Sequence, residues 1–114
     1  MIKRTGPMAI GHKGVEYQGV VNVGGLIASD LSADMKGQTS QIAAKIDAVL
    51  AEHGTSKENL LTATIFVTDL TQRPAMNEAW SAWLATETMP ARATIGVADL
   101  GPGVLIEIIA TAKV

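Results

Sequence analysis

Near its C-terminus the chain runs through Val104-Leu105-Ile106-Glu107-Ile108-Ile109-Ala110, an aliphatic stretch broken by a single carboxylate. Its β-branched content reads as a strand. Residues of both parities are apolar, so neither face of the sheet that holds it can be left in water. One face must pack on the chain's own helices and the other on a second sheet, which implies association between copies. Just upstream, Ala91-Arg92-Ala93-Thr94-Ile95-Gly96-Val97-Ala98 repeats the pattern with one guanidinium. A strongly hydrated group inside such a run is costly to bury unpaired.

The residues between the two runs, Asp99-Leu100-Gly101-Pro102-Gly103, are turn formers, so an antiparallel hairpin is expected. With an even loop, cross-strand partners have numbers that sum to an odd value, and Arg92 and Glu107 then share a face. Two readings follow. The pair is a structural ion pair or a solvated one, or it is a cation that grips a carboxylate beside a base that moves a proton.

A length of 114 residues suits one domain, 1–114, with a core of its own. The balance of 47% hydrophobic to 18% charged residues places the chain among globular proteins and away from disordered ones. With no cysteine, thiolate nucleophiles, disulfides and Cys-based metal sites are excluded. His12 and His53 have no metal-ligand spacing, so no metal is expected. Net charge is -2, aromatics make up 4%, and the basic residues are scattered, which leaves no footprint for nucleic acid. No stretch is apolar enough for a bilayer span, and the first residues lack the apolar core of a signal peptide, so a cytoplasmic, membrane-free protein is expected.

The remaining pattern reads β, β, β, α, β, α, β, β. Ile2-Lys3-Arg4 is a short edge strand. Val15 to Ala28 is two strands broken near Gln18-Gly19 or within the stretch that follows, and Gly24-Gly25 marks a bulge or a close backbone approach. Ile42, Ala43, Ile46, Val49 and Leu50 recur at helical spacing before the stop at Gly54. Leu60 to Val67 is a strand. A second helix follows Thr71, with Pro74 in its first turn and Met76, Trp80, Trp83 and Leu84 as its apolar stripe. The two tryptophans read as packing rather than as a stacking site. Asp30, Asp34 and Asp47 read as caps and surface charge, His53 as a cation at a helix end, and His12 as a solvated loop residue. The serines have no nucleophile-elbow context, and no phosphate-binding loop is present. Together these elements make an α+β layer, with both helices on one face of a mixed sheet.

Four segments in order, Asn59 to Leu70, Met76-Asn77-Glu78-Ala79-Trp80, Pro90-Ala91-Arg92 and Ile106-Glu107, resemble the RidA/YjgF family of small imine deaminases. The likeness runs from about Val15 to the end. It implies a chorismate-mutase-like fold and a homotrimer whose sheets line a central barrel, with ligand clefts between subunits. It also implies hydrolysis of 2-aminoacrylate-type 2-imino acids to 2-keto acids and ammonia without a cofactor. Arg92 would hold the substrate carboxylate and Glu107 would position the attacking water, with Thr94, Gly24 and Gly25 lining the site. The pattern departs at three places. Thr94 stands where the family has a cysteine, Gly24-Gly25-Leu26 where it has Ser-Gly-Gln, and nothing matches its pocket tyrosine, since Tyr17 falls elsewhere. A non-catalytic trimeric binder of small carboxylates is the alternative, and an endoribonuclease or translation inhibitor the third.

Overall fold

The computed structural model describes residues 1–114, with strands β1 (Lys3–Met8), β2 (Gly11–Tyr17), β3 (Val20–Leu26), β4 (Leu60–Val67), β5 (Ala91–Gly96) and β6 (Ile106–Lys113). Helix α1 (Met35–Glu52) follows β3, and α2 (Arg73–Trp83) follows β4. The expected order of elements holds. The strands form one sheet in the order β1-β2-β3-β6-β4-β5, antiparallel except for the parallel pair β4 and β5.

Local chemistry explains where the elements begin and end. Gln18 and Gly19 both have positive φ, as a two-residue turn needs to match the twist of β2 and β3. Asp34 caps α1 by accepting from the Gly37 N–H at 2.8 Å. At the other end Gly54, with φ +70°, closes the helix, its N–H donating to Ala51 and that of Thr55 to Leu50.

Both helices cover one face of the sheet. Val21, Val23, Ala63, Ile65, Val67, Ile106 and Ile108 point into them and meet Ile42, Ile46, Leu50, Met76 and Trp80, all buried. The opposite face is open and carries Thr62, Thr64, Glu107, Ile109 and Thr111. Ile95, Ile109 and Tyr17 stay exposed.

The hairpin between the last two strands does not form. β5 and β6 flank β4 on opposite sides, β5 parallel to it and β6 antiparallel. The physical reason is the apolar excess of β6, which suits an interior strand, while β5, with its small residues and one arginine, can take an edge. The segment between them therefore crosses the end of the sheet. It is held by Gln38, whose fully buried amide donates to Leu31, Ala33 and Gly103 carbonyls and accepts from the Leu105 N–H at 3.1 Å.

Candidate functional site

The five residues singled out by sequence fall into two groups on opposite faces of the sheet. Arg92 is in register with Ala63 and Thr94 with Ile65, which places both on the helix side of the edge strand β5. Glu107 is in register with Phe66 on the open side of β6. Two strand spacings and three residues separate them, about 10 Å across the sheet and about 10 Å along it. The shared face expected from a hairpin is thus corrected. No ion pair joins Arg92 to Glu107, and neither has another charged partner, since the ion pairs are Lys36–Glu78 and His53–Glu16.

The arginine group is built by α2 and β5. Trp80 is buried beneath the guanidinium, whose Cζ lies 5.4 Å from the ring centroid, and Nη1 approaches Met76 Sδ at 3.8 Å. Trp83 meets Trp80 edge-on at 5.4 Å and anchors its own indole N–H on Asp47. The tryptophans are core packing as expected, with the addition that one of them orients a cation. A cavity of about 380 Å³ opens here, lined by Asn77, Trp80, Ser81, Met89, Pro90 and Arg92. Asn77 Oδ1 is buried and has no hydrogen-bond partner. The sequence had marked Asn77 only as part of a motif, because an amide on a helix has no local signature of function.

The glutamate group is built by β3 and β6. Pairing of these strands shifts between Val23 and Leu26, so Gly24 and Gly25 together oppose Ile109 as a bulge. A methyl group at Gly24, where φ is +128°, would stand 2.9 Å from Ile109 Cα, while one at Gly25 would collide with Glu107 Oε2. Both expected causes, bulge and close approach, are therefore present. The carboxylate rests directly on the Gly25 backbone. Beside it lies a cavity of about 300 Å³ on the open face, whose lining includes His12, Asn22, Gly24, Gly25, Thr64 and Ile109.

Both histidines depart from expectation. His12 is half-buried and lines that cavity, not a solvated loop. His53 does sit at the C-terminus of α1, but buried, its Nδ1 on Glu16 Oε1 at 2.8 Å and its Nε2 on Thr5 Oγ1 at 2.7 Å. Gly14 leaves room for it, since a methyl group there would stand 2.8 Å from Nε2. The sequence could not show that β1 and β2 fold over the helix end. No cluster of three acidic or imidazole side chains is placed to hold a metal ion, and no helix is long and apolar enough to cross a membrane.

Comparison with known proteins agrees with this architecture. The family model described as Endoribonuclease L-PSP matches residues 4–114. A RutC family protein of Haemophilus ducreyi is 34% identical over 98 residues, covering 86% of this chain and 84% of its own. The RutC family protein YoaB of Escherichia coli is 39% identical over 82 residues, 72% of each chain. Among solved structures, a YjgF family member from Neisseria meningitidis superposes with a TM-score of 0.93 at 30% identity, over 99% of this chain and 94% of that one. An uncharacterized protein from Pseudomonas aeruginosa gives 0.94 at 26% identity, over 99% and 98%. With nearly its whole length matched in sequence and in fold, the chain belongs to the RidA/YjgF family.

Proposed function

We propose that the protein is an imine deaminase that hydrolyses 2-imino acids of the 2-aminoacrylate type, and that it acts as a homotrimer whose clefts join Arg92 of one copy to Glu107 of the next. The observation that carries this reading is the division of the site. A guanidinium without an acid partner and a carboxylate without a cationic partner stand on opposite faces of one sheet. Neither group completes a site alone. β5 is an edge strand, so its Arg92 side can approach the open face of a neighbour, where Glu107 lies on Gly25. That open face carries exposed Ile95, Ile109 and Tyr17, which three sheets facing a common axis would cover.

The chemistry follows from the groups. Arg92 offers a fixed fork to the substrate carboxylate, and Trp80 holds the guanidinium in orientation. Asn77 Oδ1, unpartnered, can accept from the imine N–H. Glu107 takes a proton from water as the water oxygen bonds to the imine carbon and the C=N π pair moves to nitrogen; both water protons end on that nitrogen, which leaves with the C–N pair as ammonia while the hydroxyl electrons form the carbonyl of the 2-keto acid. The intrinsic barrier is low, so positioning with general acid–base help suffices.

A coupled assay tests this. An enzyme that generates 2-aminoacrylate is run with semicarbazide, and the protein should lower the yield of trapped imine. Arg92→Ala should abolish the effect, and Glu107→Gln should slow turnover about 10²–10⁴-fold while leaving pyruvate binding intact. Mixing the two variants during refolding should restore about a quarter of wild-type activity if each site takes one residue from each of two neighbouring copies. No restoration would place both residues in one subunit's site, and identical trapping by wild type and Arg92→Ala would end the deaminase reading. Sedimentation should report a trimer. The name of the matching family model includes an endoribonuclease; the net charge of -2 and scattered basic residues favour the smaller, carboxylate-bearing ligand.

A further inference from the structure

His12 is one of two imidazoles in the chain, and no role has been given to it. Both imidazole hydrogen bonds formed within the protein belong to His53, so the ring nitrogens of His12 have no protein partner. His12 nevertheless is half-buried and lines the cavity that contains Gly24 and Gly25, and Gly25 is the surface against which the Glu107 carboxylate rests. The Lys13 side chain, next in the strand, crosses Gly6. The cavity that His12 lines with Val15, Asn22, Thr64 and Ile109 places it on the open side, and the alternation of β2 slips between His12 and Gly14, which faces His53.

We propose that His12 is a second acid–base residue of the Glu107 half-site, protonating the imine nitrogen while Glu107 accepts a proton from the attacking water. This rests on the deaminase reading above. As the water oxygen bonds to the imine carbon, the C=N π pair moves to nitrogen, which takes a proton from the His12 imidazolium, and Glu107 becomes protonated. In the second step the amine takes that proton from Glu107 and leaves as ammonia. The hydroxyl electrons form the carbonyl, and the hydroxyl proton returns to His12. Protons and electrons balance over the cycle, and both residues regain their starting states.

Few charged groups can compete with this role. From β6, Glu107 and, at the far end of the strand, Lys113 come to this side. β3 contributes Asn22, Gly24 and Gly25, β1 contributes Pro7, the register partner of His12, and Arg4, the partner of Val15, and β2 itself contributes Tyr17 towards its other end. Lys13 is the next residue of the strand, and Lys45, on α1, is tied to the Ile27 carbonyl oxygen on the helix side.

The test combines a pH profile with NMR. After subtraction of spontaneous hydrolysis, wild-type kcat/KM should be bell-shaped in pH, the high-pH limb belonging to the proton donor and the low-pH limb to the acceptor. His12→Gln should lose the upper limb and lower kcat about 10²-fold or more, with KM little changed. In 13C-labelled protein the His12 ring resonances should move on addition of pyruvate, the product-type probe, while those of His53 stay fixed. Wild-type turnover with an unchanged profile in His12→Gln would overturn the catalytic role. If the wild type has no turnover, the deaminase reading fails and the catalytic role with it. A pyruvate-induced shift would then retain His12 as a binding residue, and its absence would remove His12 from the site altogether.

Discussion

Alanine at Gly24 and alanine at Gly25 should have opposite consequences, although the two positions are adjacent. At Gly24 the backbone has φ +128°, a region an L-residue enters only at a cost of about 1–3 kcal/mol. The new methyl group would stand 2.9 Å from Ile109 Cα and 3.0 Å from the Ile108 carbonyl oxygen, and both belong to a paired interior strand that cannot retreat. Overpacking of this kind adds about 1–3 kcal/mol. Gly24→Ala should therefore lose about 2–6 kcal/mol, and at about 4 °C or more per kcal/mol its melting temperature should fall on the order of 10 °C or more. At Gly25 the obstruction is the end of a side chain: Glu107 Oε2, with Cδ at 3.1 Å. Rotation of the glutamate costs about 0.5–1.5 kcal/mol, and the smaller entropy of an unfolded alanine returns about as much. Stability should stay within about 1 kcal/mol of wild type, but a carboxylate moved by about 1 Å should cost turnover about 10²-fold. Urea unfolding at constant m-value and the semicarbazide assay separate the two outcomes. A Gly24→Ala variant as stable as wild type would refute the account of the bulge. Full turnover in Gly25→Ala would refute the placement of the working carboxylate against that backbone.

Gln38→Leu should cost about 2–4 kcal/mol, because it strands the Leu105 N–H and the Leu31, Ala33 and Gly103 carbonyls, and hydrogen exchange at Leu105 should report the loosening locally. His53→Leu should destabilise by about 2–4 kcal/mol, since Glu16 and Thr5 lose their partner beneath the first hairpin, as measured by urea unfolding. The Asp69 carboxyl is held below the ordinary range, first by the Thr71 hydroxyl and then by the Thr71 N–H. Its lowered folded pKa stabilises the protein above the usual carboxylate pKa, and this contribution disappears as pH falls through the folded value. Asp69→Asn should therefore flatten the acid side of a stability-versus-pH curve below about pH 4, with little change in its shape near neutrality.

The elements themselves were legible because local chemistry specified each one. The helix ended at Gly54, the hairpin turned at Gln18-Gly19, and α2 began around Pro74, all from residues that demand those conformations. Strand pairing was not legible. Asp99 to Gly103 has the composition of a hairpin turn, yet the segment is fastened by Gln38, 67 residues before Leu105 in the chain, and β6 enters between β3 and β4. No local pattern encodes a partner that distant. The candidate residues were found from their type, but their faces depended on the pairing, so Arg92 and Glu107 were first placed together and are in fact apart. His12 was missed for a related reason. Glycines on either side gave it the context of a loop, and only the fold of β2 against the bulge brings it to the cavity.

That bulge links the core to the site. The core face of β3 is occupied by Val21 and Val23, and the same face continues with Leu26 and Ala28, so the alternation slips by one residue. Without an extra residue between Val23 and Leu26, either the first pair or the second would turn outward. Gly24-Gly25 absorbs the slip, and only glycine can do so this close to Ile109. The same geometry lays bare backbone beneath Glu107. The departures from the family pattern at these positions therefore remove side chains and keep the main-chain surface. A ligand bound here is met by main chain, the Glu107 carboxylate and the imidazole of His12. The core needs the bulge whether or not the site works, so the presence of Gly24 and Gly25 says little about catalysis. Arg92 and His12 carry no comparable packing duty, and turnover in their variants is where the functional reading stands or falls.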